Sequence, residues 1–66
     1  MTLAELKECV NTSNGAEYTI RGWGVYRIPN VKWNNIPDYL KNRTVFRACP
    51  IRIYCGSVIE WSVTIK

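Results

Sequence analysis

The last nine residues, V-I-E-W-S-V-T-I-K, alternate without a break. Ile59, Trp61, Val63 and Ile65 share one parity, and Val58, Glu60, Ser62, Thr64 and Lys66 share the other. That period of two belongs to a half-buried β-strand, and it obliges the chain to build a sheet with one apolar face. Just upstream, Cys49, Ile51, Ile53 and Cys55 alternate with Pro50, Arg52 and Tyr54, and Gly56-Ser57 marks a turn. A two-residue Gly56-Ser57 loop pairs Tyr54 with Ile59 and Arg52 with Trp61, which mixes polar and apolar partners. A three-residue loop, Gly56-Ser57-Val58, or a five-residue loop of the same register, pairs Cys55 with Ile59, Ile53 with Trp61, Ile51 with Val63 and Cys49 with Ile65. A slip of one residue exposes the whole set, so the second register is the expected one.

On such a strand Cys49 and Cys55 lie ~20 Å apart, at about 3.3 Å per residue, too far for a mutual disulfide. The chain has three cysteines and no histidine, and no C-x-x-C pair with zinc-ligand spacing. Free cysteine packs as a small hydrophobe, and core packing is the expectation. A bond from Cys9 to one of the others in an oxidising setting, and a reactive thiol, are the alternatives.

The N-terminal residues read as a short helix. Thr2 and Glu5 form a T-x-x-E capping box, and Leu3, Leu6 and Val10 make an apolar stripe with Cys9 beside it. The run Asn11-Thr12-Ser13-Asn14-Gly15 ends it. Residues 17 to 28, rich in β-formers, fit either one long strand bent at its glycines or a hairpin. The hairpin has Gly22-Trp23-Gly24 as its loop and pairs Ile20 with Tyr26 and Tyr18 with Ile28. Residues 29 to 35 read as loop. Pro37 then opens a short helix through Asp38-Tyr39-Leu40-Lys41-Asn42, with Ile36, Tyr39 and Leu40 inward.

The fold class is therefore α+β, a single domain over residues 1–66. An N-terminal helix, a central strand or hairpin, a short second helix and a C-terminal β-hairpin form a small antiparallel sheet with the helices on one face. Parallel pairing enters only through the connection across residues 29 to 44, which is long enough for a crossover, so strand order stays open.

Sixty-six residues bury a thin core. Three tryptophans, four tyrosines and one phenylalanine compensate by dense packing. The opening M-T-L-A-E-L-K-E-C-V carries charges where a secretory signal needs an apolar run, and no segment reaches membrane-spanning length. The expectation is a cytoplasmic protein with reduced thiols and no membrane association. Catalytic readings fare poorly. Without histidine there is no Ser-His-Asp or Cys-His arrangement. The carboxylates Glu5, Glu8, Glu17, Asp38 and Glu60 show no motif, and Gly22-Trp23-Gly24 is not a phosphate-binding loop. Neither enzyme activity nor any cofactor or metal is expected.

What is left after filling the core is arginine and aromatic. Arg52 and Tyr54 point away from the apolar face of the hairpin, beside Glu60, Ser62 and Thr64. Arg21, Trp23 and Arg27 extend that surface in the single-strand reading, and Arg43 and Arg47 add positive field. Arg52 also has a bland role available, pairing with Glu60 across the hairpin. Trp33, in the polar stretch Lys32-Trp33-Asn34-Asn35, either caps the small core or contacts a partner. The candidate partner-binding residues are thus Arg21, Trp23, Arg27, Trp33, Arg52 and Tyr54. Trp, Tyr and Arg are the residue types of interface hot spots, which points to a small non-catalytic protein-binding module with a host protein as partner. In size and economy such a chain is like the accessory proteins of phages and mobile elements that inhibit a host factor by occluding its surface. The same face, at a net charge of +4, also suits nucleic acid. A homodimer through an edge strand is a further arrangement.

Overall fold

A computed structural model describes residues 1–9 and 12–66, apart from the side chains of Cys9, Val25 and Tyr26. The expected capping box closes the first helix, α1 (Leu3–Cys9). The Thr2 amide donates to Glu5 Oε1 at 2.9 Å, and the Glu5 amide donates to Thr2 Oγ1 at 3.2 Å. These donors hold the Glu5 carboxyl below the usual carboxylate range, the Thr2 amide contributing most. Leu3 and Leu6 are buried. Val10, the third residue of the expected stripe, lies outside the described residues, as does the Cys9 side chain.

Four strands follow: β1 (Thr12–Gly22), β2 (Val25–Lys32), β3 (Val45–Tyr54) and β4 (Ser57–Ile65). A 3₁₀ turn (Trp33–Asn35) and a second helix, α2 (Asp38–Lys41), connect β2 to β3. The sheet order is β2-β1-β4-β3. The outer pairs are antiparallel hairpins, and the central β1–β4 pair is parallel. The sheet is thus mixed, which corrects the all-antiparallel expectation. The β2-to-β3 connection is long enough to carry the chain from one edge of the sheet to the other.

Residues 17 to 28 belong to a hairpin, and its loop is shorter than expected. Gly22 pairs with Val25, Gly24 turns the chain at φ 69°, Ile20 faces Ile28 and Tyr18 faces Val31. The pairing of Ile20 with Tyr26 is displaced by irregularities on either side of Ile20. Gly22 is required by space: a Cβ there would meet the Ile65 carbonyl oxygen at 2.1 Å. Residues 29 to 32, expected as loop, continue β2. Pro29 is tolerated because an edge strand has a side that pairs with nothing. Asn30 takes φ 48°, and its amide donates to Thr19 Oγ1 at 3.3 Å.

One buried cluster joins Ala16, Tyr18 and Ile20 of β1 with Val58, Trp61, Val63 and Ile65 of β4, and adds Leu3, Leu6, Ile36 and Leu40. Trp61 thus takes the inward place that its alternation assigns. Tyr18 is fully buried, and burial pushes its phenol up; its hydroxyl has no hydrogen-bond partner among the described residues. Trp33 packs against this cluster, 5.6 Å from the Tyr18 ring, with the Lys7 and Lys41 ammonium groups over its own ring at 5.4 and 4.8 Å. Tyr39, expected inward, is exposed, because Ile36 and Leu40 fill the available core.

The C-terminal hairpin departs most from expectation. Its loop is Cys55-Gly56, with φ 51° and 79°, and Tyr54 pairs with Ser57. Two consecutive positive φ values are the mark of the tight turn that suits the twist of a hairpin. The register that follows sets Pro50 against Trp61, Ala48 against Val63 and Val45 against Ile65. The expected partners Ile53 and Ile51 are instead exposed, and so are Cys49 and Cys55. The cysteines are therefore surface thiols, not core. The expectation failed because burial needs a covering element, and β3 lies at the edge of the sheet with little over it. On β4, an irregularity beside Ile59 puts Val58 in the core in its place.

The N-terminus is tied into this framework. The Val45 amide donates to the Met1 carbonyl at 2.7 Å, the Leu3 amide to the Arg43 carbonyl at 3.2 Å and the Lys66 amide to the Thr44 carbonyl at 2.9 Å. No helix among the described residues is long and apolar enough to cross a membrane.

Candidate functional site

The registers line side chains up across all four strands. Core rows such as Val31-Tyr18-Trp61-Pro50 and Ile28-Ile20-Val63-Ala48 alternate with polar rows. The first polar row is Lys32-Glu17-Glu60-Arg52. The next holds Thr19, Ser62 and Cys49, with Asn30 bonded to Thr19. The third holds Arg21, Thr64 and Arg47. Successive side chains of a strand alternate faces, so these rows share one polar face of the sheet.

The two ends of that face differ in charge. In the first row two adjacent carboxylates are flanked by two cations. Glu60 pairs with Arg52 at 3.6 Å, and Lys32 Nζ donates to the Gly15 carbonyl at 3.3 Å. Arg52 thereby takes its bland role. In the third row Arg21 donates from Nε to Thr64 Oγ1 at 3.4 Å. Neither Arg21, Arg27 nor Arg47 forms an ion pair among the described residues.

Arg21, Gly22, Trp23, Arg27 and Thr64 line an open cleft of about 410 Å³ at this cationic end. Trp23 is 59% exposed and meets Phe46, 58% exposed, edge-on at 5.4 Å. Lys66 Nζ lies 5.6 Å from the centre of the Phe46 ring. Arg43 ties the corner together by donating from Nη2 to the Trp23 carbonyl at 3.0 Å and from Nε to the Lys66 carbonyl. Two aromatic faces and four outward cations (Arg21, Arg27, Arg47 and Lys66) thus meet where the two hairpins lie side by side.

At the other end the exposed residues are apolar. Ile51, Ile53 and Tyr54 are 56%, 63% and 69% exposed, on the half of β3 that leads to the Cys55-Gly56 turn. A depression of about 230 Å³ lined by Gly15, Glu17, Arg52, Ile59 and Glu60 adjoins them.

Of the six candidates, the structure brings Arg21, Trp23 and Arg27 together at the cationic end. Arg52 and Tyr54 sit at the far end of the sheet, and Trp33 packs against the core. Phe46, Ile51 and Ile53 were missed. The isoleucines carry an apolar signal that reads as core unless the edge position is known, and Phe46 owes its place to an irregularity between Val45 and Arg47. Among the described residues no group of three His, Cys, Asp or Glu side chains is placed to hold a metal ion. Compared with protein-family models, curated proteins and solved structures, the chain matches none.

Proposed function

We propose that this chain is a non-catalytic protein-binding module that acts by occluding a surface of its partner. The observation that carries the reading is the exposed aliphatic pair Ile51 and Ile53 beside Tyr54 on β3. Side chains of this size at a thin protein's surface mark a contact site when they are contiguous. Aliphatic groups have no face for a nucleobase to stack on, so their complement is an apolar pocket on another protein. Ile53 pairs with the core residue Val58, so it lies on the core face of the sheet at its exposed β3 margin, and that margin is the part free to dock.

Docking through side chains fits better than strand addition. Pro50 lacks an amide hydrogen and an irregularity lies between it and Arg52, so the outer edge of β3 is no continuous ladder. The Arg52–Glu60 pair adjoins the apolar patch as a polar rim. Affinity capture from native lysate, with nuclease treatment and a high-salt wash, tests the reading. The expected result is a retained protein that is lost on Ile51→Asp/Ile53→Asp and kept on Arg47→Ala. A partner that survives the double aspartate change, or that disappears on nuclease treatment, overturns it.

A further inference from the structure

The cationic end has chemistry that an apolar docking surface does not use. Its three arginines, Arg21, Arg27 and Arg47, stand without carboxylates among the described residues, while every carboxylate on the polar face lies in the Lys32-Glu17-Glu60-Arg52 row. Neighbouring strands are about 4.8 Å apart, so Arg21 and Arg47, two strands apart, span about 10 Å of backbone. Thr64 sits between them as a hydroxyl donor and acceptor. Trp23 lines the cleft beside Arg21, Gly22 and Arg27. At about 410 Å³ the cleft is within the range of small-ligand sites.

We infer that this end of the sheet binds single-stranded nucleic acid, with a base against Trp23 and the flanking phosphates on Arg21, Arg27 and Arg47. The pairing of exposed aromatic faces with unpaired guanidinium groups on a sheet decides the occupant. Single-strand binders combine a positive groove with stacking platforms that accept any base. An acidic protein segment uses the arginines and leaves the exposed Trp23 indole without a role. A duplex hides its base faces and so leaves the exposed Trp23 nothing to stack on. The site is independent of the Ile51/Ile53 patch, so either can fail without the other.

The test is fluorescence anisotropy of a labelled oligothymidylate in increasing salt, with an oligoglutamate of matched charge as competitor. Three phosphate contacts on a single strand give a log–log salt slope of about −2, a roughly 20-fold loss of affinity for a fourfold rise in salt. Arg47→Ala brings the slope about 0.7 closer to zero. Trp23→Ala weakens binding roughly 5- to 150-fold and Trp23→Phe restores most of it, as stacking requires. Lys32→Ala, which removes the same charge at the other end, leaves affinity and slope unchanged. Circular dichroism of each variant checks that the sheet persists. Three results overturn the inference: no binding at low salt, an oligoglutamate that displaces the oligonucleotide on equal terms, or a Trp23→Ala variant that folds and binds as the parent does. The second reassigns the cleft to acidic protein segments.

Discussion

The two ends of one polar sheet face use similar residues to opposite effect. At the β3–β4 turn end, Lys32, Glu17, Glu60 and Arg52 occupy one cross-strand row and cancel in charge. At the Trp23 end, Arg21 and Arg47 flank Thr64 with no carboxylate in the row. The difference arises from register rather than composition: β3 carries both Arg47 and Arg52, and one is left cationic opposite Thr64 while the other is neutralised opposite Glu60. A residue count gives +4 for the chain; the sheet concentrates that excess at one end.

The sharpest way to break this contrast is to disturb the corner where the hairpins meet. Gly22→Ala drives a methyl group into the Ile65 carbonyl, and we expect a loss of about 2–3 kcal/mol in urea denaturation, the upper part of the range for overpacking. At the opposite end, Cys55 holds φ 51° before Gly56. Cys55→Asn supplies a side chain that tolerates that conformation better than cysteine does and should raise stability by about 1 kcal/mol in the same assay. A thiol assay separates the ends further. Cys49 and Cys55 are exposed, so each Cys→Ser change should remove one rapidly labelled thiol from the native protein; slow labelling of both would return them to the core.

The smallest effect is also the most pointed. Arg52 has an ion-pair partner and Arg47 has none among the described residues. At about 10 mM salt, where screening is weak, Arg52→Ala should lower stability by a few tenths of a kcal/mol and Arg47→Ala should raise it by a similar amount. Both shifts should vanish in molar salt. Equal signs for the two variants would mean that the charges are not segregated as the register implies.

The parts of the fold that were legible in the sequence are those decided locally. The Thr2–Glu5 box needs only its own turn, and the Trp61-Val63-Ile65 alternation needs only one buried face. The register of β3 against β4 was not legible, because apolar alternation fixes a register only where every apolar residue finds cover, and Ile51 and Ile53 do not. Among the described residues, the eleven in α-helix, seven in α1 and four in α2, cannot shield a four-stranded sheet to both edges. Ile51 and Ile53 are the residues left out. For the candidate site, Arg21, Trp23 and Arg27 were found because turn glycines and β-formers place them near one another in sequence. Their alliance with Phe46, Arg47 and Thr64 depends on the parallel β1–β4 pairing, which no local pattern encodes.

That parallel pairing also dictates a timetable. β1 lies between β2 and β4, and its β4 partners run from Val58 to Ile65, some forty residues downstream. The first hairpin therefore has one side of its inner strand unsupported until the C-terminal strand exists. Contacts this distant along the chain close slowly and late. During synthesis, at roughly 5–20 residues per second, β4 must emerge before the core can assemble. A chain cut short before β4 would be an unfolded polypeptide, not a partly finished domain.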